Sequence, residues 1–217
     1  MKYILMDLDG TITNPKVGIT KSVQYALRAM GILIEDLELL VKHIGPPLKS
    51  SFMEFYGFTE TQALQAVEYY REYFSVTGIY ENEEYQGMRE LLTKLQRDGK
   101  TLIVATSKPE NFARLIIKNF GLESFFTDIC GGTLDDSRNE KEKVIRYALE
   151  KNHIAELSEV VMVGDRMHDV IGAKKVGIPC VGVLYGFGNR QELQEAGADY
   201  IAASVEELYE VIGGLCL

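Results

Sequence analysis

The sequence is poor in basic residues and in long apolar runs, and each shortage excludes a class of protein. Only 23 Lys and Arg stand against 32 Asp and Glu in 217 residues, which gives a net charge of −9. Clustered basic residues supply much of the affinity for nucleic acids and for anionic membrane surfaces, so neither is expected as a partner. The longest apolar stretches are also well short of the roughly 18 residues that cross a bilayer.

Cysteine is scarce as well. Cys130, Cys180 and Cys216 are far apart and form no C-x-x-C pair, which argues against a disulfide framework and against a zinc site. We therefore expect free buried thiols. The first residues reach Asp7 without an apolar stretch of signal-peptide length, so the sequence predicts a cytoplasmic protein.

What the sequence does contain is a pattern of alternating strands and helices. With 46% hydrophobic and 25% charged residues, the composition is typical of a globular protein with a sizeable core. Short apolar runs rich in β-branched residues predict buried parallel strands, and helical patterns follow them. We therefore expect an α/β fold, a Rossmann-like parallel sheet flanked by helices. The predicted strands are residues 3–8, 101–106, 159–163 and 179–184, and the predicted helices of this core are 84–97, 110–120, 141–151, 169–176 and 204–212.

One long segment interrupts this alternation. Residues 15–83 contain only helical patterns, at 20–30, 48–56 and 59–76. They predict an inserted helical bundle within an α/β core that consists of residues 1–14 and 84–217.

Carboxylates follow the first predicted strand and a later one. Asp7 and Asp9 point to the same side of an extended segment, and two carboxylates this close repel unless a cation or a shared proton lies beside them. Asp165 and Asp169 lie where a later strand passes into a helix. Open parallel sheets place their ligands at the carboxyl ends of strands. Asp7, Asp165 and Asp169 can therefore supply the oxygen ligands that Mg²⁺ prefers.

Hydroxyl and ammonium groups accompany these acids. Thr106, Ser107 and Lys108 follow the second strand, and Lys141 opens a later helix, where it could offset the remaining negative charge. Lys143 lies close enough to compete with Lys141 for this role. Lys108 is either a further cation near the site or a solvated lysine at the start of a helix.

Together these residues resemble the haloacid dehalogenase superfamily of aspartate-nucleophile phosphatases. The D-x-D-G-T signature lies at 7–11, the strand-ending Thr at Thr106, the lysine at Lys141 and the G-D-x-x-x-D signature at 164–169. The likeness covers essentially the whole chain and is strongest to the phosphoglycolate phosphatase-like and 5′-nucleotidase-like branch. It implies that residues 15–83 form a small helical cap domain. A cap loop with Gly45 and Pro46 is then the candidate for substrate specificity.

The resemblance implies a Mg²⁺-dependent phosphatase acting on a small phosphate monoester, such as phosphoglycolate, a nucleoside 5′-monophosphate or a sugar phosphate. Asp7 would be the nucleophile that forms an aspartyl phosphate, and Asp9 the acid and base. Mg²⁺ would be held by Asp7, Asp165 and the backbone carbonyl of Asp9, with Asp169 as a ligand or an outer-shell orienter. The phosphate-binding side chains would be those of Thr106, Ser107 and Lys141.

Other functions share parts of this pattern. A phosphosugar mutase of the β-phosphoglucomutase type uses the same core and returns the phosphoryl group to its substrate. A receiver domain of a signalling protein also gathers acids, a hydroxyl and a lysine around Mg²⁺, but it lacks D-x-D-G-T and a helical insert of this length. A dehalogenase has no use for Asp9, and a catalytically silent scaffold would not need the intact set of acids. The sequence carries no pattern that predicts the oligomeric state.

Overall fold

A computed structural model of the chain describes residues 1–215 and separates it into two compact units. The first, the sheet unit, consists of Met1–Asn14 and Glu84–Leu217, and the second, the helical unit, is Pro15–Glu83. Cys216, one of the three predicted free thiols, lies outside the described residues, whereas Cys130 and Cys180 are buried and free. Within residues 1–215, no helix combines the length and the apolar character that a bilayer crossing requires.

The strands are mostly short, and two consist of only two residues. In chain order they are β1 (Tyr3–Met6), β2 (Thr13–Asn14), β3 (Glu83–Glu84), β4 (Thr101–Pro109), β5 (Asp128–Gly132), β6 (Val160–Gly164), β7 (Cys180–Val183) and β8 (Tyr200–Ala202).

The α-helices contain between seven and fifteen residues. They are α1 (Lys16–Ala29), α2 (Leu48–Tyr56), α3 (Glu60–Phe74), α4 (Met88–Arg97), α5 (Glu110–Asn119), α6 (Lys141–Lys151), α7 (Met167–Val176), α8 (Arg190–Ala196) and α9 (Val205–Gly214). Short 3₁₀ helices lie at Leu37–His43, Gly78–Tyr80, Glu123–Phe125 and Leu157–Glu159.

Six strands of the sheet unit form one parallel sheet in the order β5-β4-β1-β6-β7-β8. The chain starts at the centre of the sheet, builds outward to β5, then returns to β6 and builds outward on the other side. The strand order therefore reverses between β1 and β6. In open α/β sheets the ligand lies outside the carboxyl ends of the strands at such a reversal.

Apolar side chains cover both faces of this sheet. Leu5, Ile103 and Met162 share a core with Val144 of α6 and Val170 of α7, and all five are fully buried. Their strand neighbours, which point to the other face, are buried as well: Ile4, Met6, Leu102, Val104, Val161 and Val163. Burial on both faces explains why these strands are continuous apolar runs rather than alternating ones.

The predicted α/β fold with a parallel sheet is confirmed. Two strands of the six-stranded sheet, β5 and β8, and one helix, α8, were not predicted. Strand β5 has only two apolar side chains, Ile129 and Cys130, before two glycines. Strand β8 is three residues long, and α8 is polar apart from Ala196 and the buried Leu193. Such segments carry too few periodic apolar residues to predict an element. Strand β4 also extends three residues beyond the predicted end at Thr106.

The helical unit has its own buried core. Helix α3 begins with a capping box in which Thr59 accepts from the backbone N–H of Gln62, and α2 ends at Gly57 with φ of 67°. A histidine lies among the aromatic residues of this unit. The ring of His43 is stacked on Tyr56 with centroids 5.6 Å apart and meets Phe55 edge-on.

The two ring nitrogens of His43 are satisfied when the imidazole is neutral. Ser51 donates its hydroxyl proton to the carbonyl of Leu48, so Nδ1–H of His43 donates to Ser51 Oγ at 2.9 Å, and Nε2 accepts from the Tyr56 hydroxyl at 3.2 Å. Burial, aided by Lys42, lowers the pKa of His43 from 6.5 to about 4. The folded chain therefore holds this side chain uncharged across the physiological range.

We expect His43 to make stability depend on pH. Between pH 6.5 and about 4 the unfolded chain binds a proton at His43 that the folded chain does not. The contribution of His43 to the free energy of unfolding is therefore fully present above pH 6.5 and is lost as the pH is lowered. Replacing His43 with Phe removes the titration. Urea unfolding should show that wild type loses about 2–3 kcal/mol more than His43→Phe between pH 7 and pH 4.5.

The exposed His153 provides the control. Because its backbone φ is 55°, His153→Asn is the suitable replacement, since Asn tolerates the left-handed region. This variant should keep the pH dependence of wild type. Parallel pH profiles for wild type and His43→Phe would contradict the assignment.

Candidate active site and metal centre

Three acids meet at the carboxyl ends of the two central strands. Met6 of β1 is in register with Val163 of β6, and the backbone N–H of Asp7 donates to the Val163 carbonyl at 2.9 Å. Asp7 and Asp165 therefore leave neighbouring strands at the same level, and Asp169 follows in the first turn of α7. One carboxylate oxygen of each of Asp7, Asp165 and Asp169 lies within 4.8 Å of the others. We call these residues the acid triad.

Two glycines make room for the triad. Gly10 has φ of 82°, and a side chain there would overlap the Asp165 carboxylate. A side chain at Gly164 would likewise overlap the carboxylate of Asp169. The glycines of the D-x-D-G-T and G-D-x-x-x-D signatures are thus required by close packing against acids from the other signature or from the adjoining turn.

A buried lysine lies among the acids. The ammonium of Lys141 is 2.9 Å from Oδ1 of Asp7, 2.7 Å from Oδ1 of Asp169 and 3.1 Å from the carbonyl of Ala105. Lys143 instead is exposed and pairs with Glu140 on the surface. The structure therefore brings Lys141, and not its competitor Lys143, to the triad.

The position of Lys141 is electrostatically unfavourable, but its carboxylate partners stabilise the charged side chain. Lys141 is the first residue of α6, where the helix dipole disfavours a cation. Helix α6 approaches α7 closely there, since a side chain at Gly172 would come within 2.8 Å of Lys141 Cβ. Although burial alone would lower the pKa of Lys141, the carboxylates of Asp169 and Asp7 raise it above its usual value. Lys141 is thus held as a cation by the acids around it.

Asp165 and Asp169 differ in whether a lysine contacts their Oδ1 oxygens, although neither Oδ1 has a hydrogen-bond partner among residues 1–215. Asp169 Oδ2 accepts from the backbone N–H of Arg166 at 3.1 Å, and its Oδ1 contacts Lys141. Asp165 Oδ2 accepts from the backbone N–H of Phe187 at 2.8 Å. Its Oδ1 is buried and has no hydrogen-bond partner among residues 1–215. Burial, with the repulsion of neighbouring acids, raises the pKa of Asp165 well above its usual range, and burial raises that of Asp169 to about 6.

Asp9 has a different partner from the triad. Its Oδ2 lies 2.5 Å from the ammonium of Lys108, whose side chain is only 6% exposed. Burial raises the pKa of Asp9, an effect that Lys108 opposes and Asp7 adds to. The expectation that Lys108 is a solvated lysine at a helix start is wrong, because Lys108 still belongs to β4. The sequence did contain a signal, Pro109. A proline disfavours the helical conformation at the residue before it, so Lys108 is expected to be extended and not helical.

The remaining predicted residues lie in two places. Thr106 is buried in β4, and its hydroxyl oxygen accepts from the backbone N–H of Lys108 at 3.3 Å. Ser107 is half-buried next to it. Gly45 and Pro46 belong to the helical unit, where they connect the 3₁₀ helix Leu37–His43 to α2, and Gly45 has φ of 105°. Their part in specificity stays a prediction.

The donor set fits a hard divalent cation. Four carboxylates, counting Asp9, face the two ammonium groups of Lys108 and Lys141, which leaves an excess of two negative charges when all are ionised. The free Oδ1 of Asp165 also lacks any donor in the described part of the chain. Oδ1 of Asp9 and Oδ1 of Asp169 are also buried without a hydrogen-bond partner among residues 1–215. An oxygen-only set with unsatisfied buried oxygens is what Mg²⁺ would satisfy.

Comparison with known proteins places the chain in a family. A family model of haloacid dehalogenase-like hydrolases matches residues 4–183. The chain therefore belongs to the haloacid dehalogenase-like hydrolase family, and the prediction of an enzyme of the phosphatase type is confirmed at that level.

Individual relatives share most of the chain. A 5′-nucleotidase from Pseudomonas aeruginosa is 47% identical over 96% of this chain and 94% of its own. The tyrosine-protein kinase PtkA of Mycobacterium tuberculosis is 37% identical over 98% of this chain and 72% of its own. A crystal structure of a predicted phosphatase from Clostridium acetobutylicum is 49% identical, covers 98% of each chain and has a TM-score of 0.96. Phosphoglycolate phosphatases of Vibrio species are more distant relatives, at 24–27% identity.

The two competing lysines allow a matched test of the site. Lys141→Gln removes the cation between Asp7 and Asp169, so we expect phosphatase activity to fall about 100-fold or more and stability to fall by about 3–5 kcal/mol. Lys143→Gln breaks only a surface pair and should change stability by less than about 0.5 kcal/mol. Steady-state kinetics and urea unfolding measure both effects. Equal activity in the two variants would remove Lys141 from the site.

Proposed function

We propose that the chain is a Mg²⁺-dependent phosphatase that hydrolyses a small phosphate monoester through an aspartyl phosphate on Asp7. The single observation that carries this proposal is the contact between Lys141 and Asp7 inside the acid triad. The Asp7 carboxylate, a buried ammonium and the carboxylate oxygens of Asp165 and Asp169 lie close together at the reversal of strand order, which supports Asp7 as the nucleophile and the other acids as the cation site.

The contacts of Asp7 favour one of its oxygens as the nucleophile. Its Oδ1 accepts from the backbone N–H of Leu8 at 2.8 Å and from Lys141 at 2.9 Å. We therefore assign the attack on phosphorus to Oδ2. The new bond joins Asp7 Oδ2 to phosphorus while the bond from phosphorus to the ester oxygen breaks. A side chain that is 13% exposed is buried enough to be oriented and open enough to meet a phosphate.

Asp9 is proposed as the acid and base. Its raised pKa favours a carboxylic acid that can give a proton to the departing ester oxygen. The resulting carboxylate then takes a proton from the water that attacks the phosphorus of the aspartyl phosphate, which releases inorganic phosphate and restores Asp7. Lys108, in contact with Asp9, would stabilise the carboxylate between the two steps. Thr106, Ser107 and Lys141 are proposed to hold the phosphoryl oxygens.

Asp7, Asp165 and the backbone carbonyl of Asp9 are proposed to hold Mg²⁺, with Asp169 orienting Lys141. The Oδ1 oxygens of Asp165 and Asp169 both lack a hydrogen-bond partner among residues 1–215, but Asp169 Oδ1 is ion-paired with Lys141 and Asp165 Oδ1 is not, which supports this division. When bound, Mg²⁺ screens the repulsion between the Asp7 carboxylate and the phosphate. Every proton transfer is left to Asp9.

The kinship with a 5′-nucleotidase supports nucleoside 5′-monophosphates as the first substrates to test. Phosphoglycolate and sugar phosphates are the next substrates to test. The residues that select the leaving alcohol are not among the proposed catalytic residues, so the catalytic residues do not distinguish these substrates. A phosphosugar mutase stays the alternative, because the same acids would serve it. A small-molecule substrate and a cytoplasmic location stay predictions of the sequence.

Two substitutions test the division of roles between Asp7 and Asp9. Asp7→Asn should lower turnover by about 10³-fold or more and abolish formation of an acid-stable, hydroxylamine-sensitive phosphoenzyme. Asp9→Asn should slow departure of the alcohol or dephosphorylation while leaving Mg²⁺ binding largely intact. Asp98→Asn, which alters an exposed acid bonded to Tyr209, is the control and should behave as wild type. Near-normal activity in Asp7→Asn would disprove the nucleophile assignment.

A screen for phosphate release separates the candidate functions. Nucleoside 5′-monophosphates, phosphoglycolate, sugar phosphates and pyrophosphate are each incubated with enzyme and Mg²⁺, then with EDTA. We expect release from at least one monoester, loss with EDTA and recovery when Mg²⁺ is restored. An isomerised sugar phosphate without free phosphate would indicate a mutase. Transfer from ATP to a tyrosine peptide, without release from any monoester, would indicate a kinase.

A further inference from the structure

The loop after β7 contacts both Asp165 and the turn that follows Asp9, although no signature of the family includes this loop. Residues 185–188 read Tyr-Gly-Phe-Gly and lie between β7 and α8. The backbone N–H of Phe187 donates to Asp165 Oδ2 at 2.8 Å. This bond fixes one oxygen of the carboxylate and leaves the other, Oδ1, as the oxygen without a partner in residues 1–215.

The same loop also touches the strand-end turn that carries Asp7 and Asp9. The hydroxyl of Tyr185 donates to the Thr11 carbonyl at 3.1 Å. The ring of Tyr185 meets that of Tyr85 at 66° with centroids 5.0 Å apart, and the backbone N–H of Tyr85 donates to the Ile12 carbonyl at 3.3 Å. Tyr185 is thereby held from two sides, and it ties the loop to the turn.

Gly186 packs against both Gly10 and Asp165. A methyl group there would overlap the carbonyl oxygen of Gly10 and the side chain of Asp165. Its backbone φ lies outside the left-handed region, so the requirement for glycine is one of space and not of backbone strain. Gly186 permits the loop to contact Asp165 and the turn at Gly10. Any larger residue would push these segments apart.

We propose that residues 185–188 are a positioning element for Asp165: Gly186 lets the loop close on the site, and the Phe187 N–H and the Tyr185 hydroxyl set the direction in which Asp165 Oδ1 points. This inference rests on the proposed Mg²⁺-dependent function. Groups that orient a ligand from behind typically change metal affinity by about 10- to 100-fold when they are disturbed. Gly186 and Tyr185 touch neither substrate nor the phosphoryl group in this scheme, so their effect should fall on Mg²⁺ binding first.

The test compares Gly186→Ala with Gly213→Ala. Gly213 lies in α9 with no heavy atom within 4 Å of an added methyl group, so this control should be neutral. Isothermal titration with Mg²⁺ should show about 10- to 100-fold weaker binding for Gly186→Ala alone. Its melting temperature without Mg²⁺ should fall, because the added methyl group must displace the Gly10 carbonyl, but the protein should remain fully folded at the temperature of the titration. Its kcat should recover at saturating Mg²⁺, a split that general loss of structure would not give.

Tyr185→Phe provides a second variant, paired with Tyr209→Phe, which also removes a hydroxyl hydrogen bond but in α9. Loss of the bond to Thr11 should weaken Mg²⁺ binding about fivefold, and the control should leave it unchanged. If Gly186→Ala fails to fold, Tyr185→Phe decides the question. Mg²⁺ affinity equal to wild type in the folded variants would overturn the positioning role while phosphatase activity stands. Absence of Mg²⁺ binding in wild type would overturn the proposed function and this inference together.

Discussion

Mutual repulsion among buried carboxylates is the constraint on which the site depends. Asp7, Asp165 and Asp169 bring their oxygens within 4.8 Å of one another, and Lys141 contacts two of the three. Such a cluster destabilises the fold unless positive charge balances it. A buried lysine balances part of the charge permanently, and the remainder is left for a cation that binds. The proposed requirement for Mg²⁺ follows from this remaining negative charge.

The parallel sheet is what allows the cluster to form at all. Acids 158 residues apart in sequence, Asp7 and Asp165, become neighbours because β1 and β6 pair in register and both point their carboxyl ends at the same edge. Glycines at Gly10 and Gly164 then supply the space that the carboxylates occupy. Asp7 and Asp165 directly follow paired strands and Asp169 lies in a helix, so little conformational entropy is left to lose when a ligand binds.

The sequence predicted the acids better than it predicted their surroundings. The spacing of Asp7, Asp9, Asp165 and Asp169 places them at strand ends, and strand ends of a parallel sheet converge whatever the details. The choice between Lys141 and Lys143 depended on the phase of α6, which periodicity does not fix to a single residue. Lys108 and residues 185–188 depended on backbone contacts between distant segments. The local sequence pattern does not encode such contacts. Strand β5 was missed for a different reason, since it has too few apolar residues to form a recognisable pattern.

The two acids of the D-x-D pair can take different roles because each faces a different lysine. Asp7 contacts Lys141, which arrives with α6, and Asp9 contacts Lys108, which arrives with β4. A nucleophile must stay ionised, whereas an acid must hold a proton and release it, so two identical side chains two residues apart need distinct environments. Asp9 also keeps one buried oxygen without a partner in the described chain, which favours its neutral form. The different roles proposed for the two acids therefore correspond to different lysine partners, one carried by α6 and the other by the end of β4.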